Sequence, residues 1–157
     1  AEQCLELARA AGSAGMVGGQ LDDLLGEGGP IDPARLEAIH ARKTGRLFRA
    51  ACVLGALSVD ASTEAEGALD RYAAAFGLAF QITDDVLDVV GDTAERGKRQ
   101  GGDVEHDKAT YVRGYGLEGA RKRALEQAEI AIEAVRPLGP RARHLVTLAR
   151  YAVERTR

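Results

Sequence analysis

Gln81, Asp84, Asp85 and Asp88 recur at i, i+3, i+4 and i+7 within the segment Phe80–Asp88. At about 100° per residue they share one helix face about 100° wide. The positions around them are apolar: Phe76, Ala79, Phe80, Ile82, Val86, Leu87, Val89 and Val90. A helix apolar on its other sides belongs inside a bundle, so the three carboxylates are expected to face the interior or a cavity. A solvated acidic turn near a helix end would give the same spacing; the apolar surround and Gln81 weigh against it. Like charges this close repel, more strongly once desolvated, so a cation is needed to compensate. Aspartate oxygens are hard ligands and no His or Cys accompanies them. Mg²⁺ suits such a set, because it keeps several waters and is usually completed by substrate phosphates.

The rest of the chain also reads as helical. Ala is abundant, only 4 residues are Pro, and β-branched runs are few. One helix is expected over about 2–11, followed by glycines at 12, 15, 18 and 19 that mark a break or a close backbone approach. Gln20–Leu25 is expected to be helical again. Asp32-Pro33 signals a new start, with Asp as the cap and Pro at the first helical position, and that helix should reach about Leu57. Thr63-x-x-Glu66 reads as a capping box opening a long helix to about Val90. A loop is expected over Gly91–Asp107, then a helix over about Leu117–Val135 and a last one restarting at Gly139-Pro140.

Composition narrows the possible partners. The 157 residues carry a net charge of −3, only 4% aromatics and no Trp, which argues against a nucleic-acid binder. No apolar run approaches the roughly 18 residues that span a bilayer. Cys4 and Cys52 stand far apart without metal-ligand spacing, so a reducing, cytoplasmic setting is expected.

Only 4 of the 21 basic residues are lysines, and three of them adjoin Gly or Thr: Lys43, Lys98 and, before Ala109-Thr110, Lys108. Each alone reads as a surface residue. Beside an aspartate-rich helix, together they point to phosphate ligands bridged by metal to the carboxylates. His40, three residues before Lys43, is expected to pack or hydrogen-bond rather than ligate metal. Gln20 and Asp23 share a face and could either join a polar network or simply lie near a helix end.

Five segments in order then carry a family resemblance. They are Gly15-Met16-Val17-Gly18-Gly19-Gln20-Leu21-Asp22-Asp23-Leu24, Ile39-His40-Ala41-Arg42-Lys43-Thr44-Gly45, Phe76–Asp88, Gly97-Lys98-Arg99-Gln100-Gly101-Gly102-Asp103, and Asp107-Lys108-Ala109-Thr110-Tyr111. The whole chain resembles the C-terminal half of trans-isoprenyl diphosphate synthases of the farnesyl and geranylgeranyl type. The resemblance implies an all-α antiparallel bundle around a central cavity, with 1–157 as the C-terminal part of one isoprenoid synthase domain. It also implies a Mg²⁺-dependent prenyltransferase that condenses an allylic diphosphate with isopentenyl diphosphate, releasing pyrophosphate. Asp84, Asp85 and Asp88 match the family's metal-binding positions, Asp84 being the best candidate for direct ligation. Lys43, Lys98 and Lys108 match positions that bind the allylic diphosphate. Thr44 and Gln81 match residues beside the reacting carbon, where their oxygens would stabilise positive charge.

The chain departs from the family in two ways. Val112 stands where Pro commonly follows Thr-Tyr, with little consequence expected. More seriously, the family's first aspartate-rich motif has no counterpart here, so the 157 residues alone are expected to be inactive. They should associate as a homodimer or with the missing N-terminal half. The alternatives are a non-catalytic accessory subunit of a prenyltransferase, or another diphosphate-ionising enzyme such as a terpene cyclase or squalene synthase.

Overall fold

A computed structural model describes residues 1–26, 32–96 and 110–155. Among the described residues, seven α-helices follow one another: α1 (Glu2–Ala11), α2 (Met16–Gly26), α3 (Pro33–His40), α4 (Arg46–Leu57), α5 (Thr63–Arg96), α6 (Tyr111–Val135) and α7 (Arg143–Glu154). A π-helical turn, Ala41–Gly45, joins α3 to α4, and a 3₁₀ segment, Arg136–Ala142, joins α6 to α7. Among the described residues there is no strand, and no helix is long and apolar enough to cross a membrane.

The local signals mostly act as read. Asp32 caps α3, its carboxylate accepting from Ala34 N at 3.0 Å, with Pro33 beside it. At α5 the cap is shifted by one residue: Ser62, not Thr63, accepts from a backbone amide, that of Ala65 at 3.3 Å. The helix expected over 33–57 is interrupted by the π turn, and the long helix runs past Val90 to Arg96. The expected start at Leu117 is matched by a break in the helical backbone at Gly116, and a further helical stretch precedes it. Gly116 has φ 71°, a value glycine adopts without steric cost, and α6 begins earlier, at Tyr111. There Thr110 caps it, accepting from Arg113 N at 3.2 Å.

α5 is the axis of the fold. Ile82, Val86 and Ala79 meet Tyr111, Ala120, Ala124 and Ala128 of α6, with Leu36 and Val153 closing that cluster. Toward the other end of α5, Tyr72, Ala75 and Phe76 meet Ala131, Val135, Ala142, Ala149 and Ala152. The early part of α5 thus faces the late part of α6, so the two helices run antiparallel. The α6 seam is almost all alanine, which brings the helix axes close and leaves no room for a larger residue. Tyr72 ties α7 to α5, its hydroxyl donating to the Leu145 carbonyl at 2.9 Å.

Candidate functional site

Close backbone contact places the π turn. Gly19 of α2 lies against Lys43: a Cβ there would stand 2.7 Å from Lys43 Cα and 2.8 Å from Arg42 C. On the opposite side, a Cβ on Gly77 of α5 would stand 3.1 Å from Gly45 Cα. The turn is therefore wedged between two helices that approach it through glycine. π-Helical turns put one extra residue in the helical circuit and recur at functional sites. Here the turn carries Arg42, Lys43 and Thr44.

Lys43 Nζ pairs with Asp23 of α2 at 2.6 Å, both side chains half-buried, and Arg42 pairs with Asp22. Asp23 thus joins a polar network, whereas Gln20 is exposed. Thr44 donates its hydroxyl to Gln81 Oε1 at 2.7 Å, bringing together two expected site residues 37 positions apart. Gln81 Nε2 donates in turn to Asp85 Oδ1 at 3.2 Å, and Tyr111 N donates to Asp85 Oδ2 at 2.9 Å. A continuous polar chain therefore runs from the π turn through α5 to the first amide of α6.

The three aspartates do not share one environment. Asp85 is buried and faces inward. Burial raises its pKa to about 6, against the pull of the Tyr111 and Gln81 hydrogen bonds and with a further push from Asp88 and Asp84. Asp84 is half-buried and pairs with Arg155 of the α7 terminus at 2.5 Å. Burial raises its pKa too, and Arg155 opposes that rise. Asp88 is exposed, so of the three carboxylates only Asp85 is buried among the described residues. Near its end, one side of α5 emerges from the bundle, where Val89 and Val90 are also exposed.

These carboxylates fit Mg²⁺ only as part of a larger site. Among the described residues, no group of three or more His, Cys, Asp or Glu could hold a metal ion. Asp84 and Asp88 do supply hard oxygen donors, in the one-or-two-carboxylate style that Mg²⁺ accepts when phosphates complete its shell. The expected phosphate ligands Lys98 and Lys108 lie outside the described residues.

Arg155 was not legible as a site residue. Its guanidinium lies over the Phe80 ring, 4.5 Å from the centroid, while it holds Asp84. A lone Arg near a chain end carries no signal of such a contact. His40 matches the packing expectation: it is buried and stacks on Tyr111 with 5.6 Å between ring centroids. Neither of its ring nitrogens has a hydrogen-bond partner among the described residues. Burial lowers its pKa to about 4. An apolar cavity of about 560 Å³ lies between α4, α5 and α7. Phe48, Tyr72, Phe76, Phe80 and Tyr151 line it, with Arg155 joining it to Asp84, but Thr44 and Gln81 do not.

Residues 3–138 match the model of the polyprenyl synthetase family. The chain is 48% identical over 156 residues to the farnesyl diphosphate synthase of Escherichia coli K12, covering 97% of this chain and 52% of that protein. It is 44% identical over 153 residues to the chloroplastic geranylgeranyl pyrophosphate synthase 11 of Arabidopsis thaliana, covering 94% of this chain and 42% of the relative. Among solved structures, an FPP/GFPP synthase from Zymomonas mobilis superposes with a TM-score of 0.83 at 34% identity, over 96% of this chain and 50% of that one. The chain thus spans about half the length of the relatives it matches.

Proposed function

The chain belongs to the polyprenyl synthetase family, and from that premise we propose that it forms the C-terminal portion of a Mg²⁺-dependent prenyltransferase. The reaction is condensation of an allylic diphosphate with isopentenyl diphosphate to a longer prenyl diphosphate and pyrophosphate. The observation that carries this reading is the 2.7 Å hydrogen bond between Thr44 and Gln81. It sets the lysine-bearing turn against the aspartate-bearing helix.

Each residue then has a task that follows from its setting. Lys43 spends one of its three N–H donors on Asp23, and the others can meet a diphosphate oxygen. Lys98 and Lys108 are proposed to bind the same diphosphate. Thr44 and Gln81 offer oxygen lone pairs to positive charge developing on the allylic carbon. Asp84 and Asp88 would hold Mg²⁺, with Asp85, whose oxygens are already hydrogen-bonded, contributing at most through water. When bound, the metal supplies Lewis-acid stabilisation of the departing diphosphate.

The test is product analysis with the full polypeptide, Mg²⁺, labelled isopentenyl diphosphate and a short allylic diphosphate. The expected result is a longer labelled prenyl diphosphate that requires both substrates and disappears with EDTA. Absence of elongated product refutes the reading, and conversion of the allylic diphosphate alone would assign a cyclase instead.

A further inference from the structure

Asp84 and Asp85 are neighbours in sequence, yet their carboxylates are about 100° apart around α5 and serve different surroundings. Asp84 meets Arg155 at the edge of the bundle, whereas Asp85 is buried with both oxygens engaged. Oδ2 accepts from Tyr111 N at 2.9 Å and Oδ1 from Gln81 Nε2 at 3.2 Å. We propose that Asp85 is a positioning residue: its acceptor-only carboxylate fixes the polarity of the Gln81 amide, and through it the polarity of the Thr44 hydroxyl.

The argument follows from which groups can donate. A backbone N–H cannot be reversed, so Tyr111 N always demands an acceptor from position 85. An ionised carboxylate has no proton to give, so Gln81 must turn its NH₂ toward Asp85. The amide carbonyl is thereby directed to Thr44, which donates its single hydroxyl proton to it at 2.7 Å. Thr44 Oγ1 is then left with lone pairs alone. Both oxygens are held as acceptors before any substrate arrives, which is the preorganisation that stabilises developing positive charge. The inference rests on the prenyl-transfer reading and extends it from the residues that bear the oxygens to the one that orients them.

Asp85→Asn reverses the arrangement without changing its shape. The new amide keeps its oxygen on Tyr111 N and turns its NH₂ toward Gln81. Gln81 must rotate its amide over, offer N–H to Thr44 and free the hydroxyl proton to point at the cation. Adding Gln81→Glu to Asp85→Asn restores the original polarity: the new carboxylate accepts from both the position-85 amide and Thr44.

The experiment compares the full polypeptide unaltered, Asp85→Asn, Gln81→Glu and the double variant. Asp85→Asn is expected to lower kcat about 10- to 100-fold. KM for the allylic diphosphate and the Mn²⁺ dissociation constant should stay within about threefold of the unaltered protein. Asp84→Asn, by contrast, should weaken Mn²⁺ binding. The double variant is expected to be faster than Asp85→Asn, a non-additivity that a purely structural role would not produce. The proposal is overturned if the double variant is no faster than Asp85→Asn, or if Asp85→Asn weakens Mn²⁺ as much as Asp84→Asn does. Should either variant fail to fold, ¹⁵N NMR of the unaltered protein decides: a Gln81 side-chain amide proton hydrogen-bonded to the Asp85 carboxylate is expected, and its absence overturns the assignment. No elongated product from the unaltered protein removes the prenyl-transfer reading and the catalytic role with it. An active unaltered protein without rescue overturns the positioning alone.

Discussion

Replacing Gly19 with Ala adds one methyl group where α2 meets the π turn. That methyl would stand 2.7 Å from Lys43 Cα and 2.8 Å from Arg42 C, and ordinary contact begins near 3.4 Å. The obstacle is backbone, which cannot rotate aside as a side chain can, and Lys43 N lies nearer still, so α2 must retreat by about 1 Å. Overpacking of this kind typically costs about 1–3 kcal/mol. The upper end applies, because Lys43–Asp23 and Arg42–Asp22 join the same two elements and are stretched by the same movement. Those pairs are partly exposed and add at most about 1 kcal/mol each. Alanine returns about 0.5–1 kcal/mol through helix propensity. The net loss is therefore about 2–3 kcal/mol, which moves the urea midpoint down by roughly 1 M or more for a usual m-value. Gly55→Ala is the control: its Cβ would meet nothing within 4 Å, so it should stabilise by about 0.5–1 kcal/mol. The assay is urea unfolding of both variants followed by far-UV circular dichroism. If Gly19→Ala proves as stable as Gly55→Ala, close approach of α2 to the π turn is not what this glycine provides.

Other perturbations test other links. Ile82 is fully buried in the α5–α6 seam, so Ile82→Ala should cost about 2–5 kcal/mol in the same unfolding measurement. Tyr72→Phe removes the hydroxyl that donates to the Leu145 carbonyl and should cost about 1 kcal/mol. His40 titrates near 4 in the folded chain because burial disfavours its charged form, against an ordinary value of 6.5. Its contribution is therefore intact above pH 6.5 and lost as pH falls toward 4, on the order of 3 kcal/mol in total. His40→Phe keeps the stack on Tyr111 and strands no hydrogen bond, since neither ring nitrogen has one among the described residues. It should flatten the decline in stability across that pH window; an unchanged slope would show that His40 is not the titrating group. Asp85, with a raised pKa of about 6, acts oppositely: its contribution is present below the unfolded value near 3.8 and lost as pH rises through 6.

Most helices could be read from the chain because their signals are local. Asp32-Pro33 caps and starts α3 by contacts within two residues, and the apolar period of α5 depends only on the geometry of one helix. The misreadings also have local causes. Thr63 and Ser62 are both competent caps, and only backbone geometry chose Ser62. A helix does begin at Leu117, after the non-helical Gly116, but the helical stretch from Tyr111 before it is not expected from the sequence. The π turn has no composition signal: its register is set by α2 pressing on Lys43 through Gly19 and α5 pressing on Gly45 through Gly77.

The site divides along the same line. Spacing alone placed Gln81, Asp84, Asp85 and Asp88 on one face of a helix, since that follows from the pitch of a helix. Residue order likewise put Lys43-Thr44-Gly45 ahead of that helix and made its acids candidates for metal. Which acid turns inward depended on neighbours far along the chain. Asp85 faces the first amide of α6, 26 residues on; Asp84 meets Arg155, 71 residues on; Asp88 meets solvent. The Thr44–Gln81 bond needs the π turn and α5 at close approach, a distance no local sequence encodes. Chemistry that depends on residue type and helical period was written in the chain. The partner each polar group keeps, and so its charge and direction, was decided only when the helices packed.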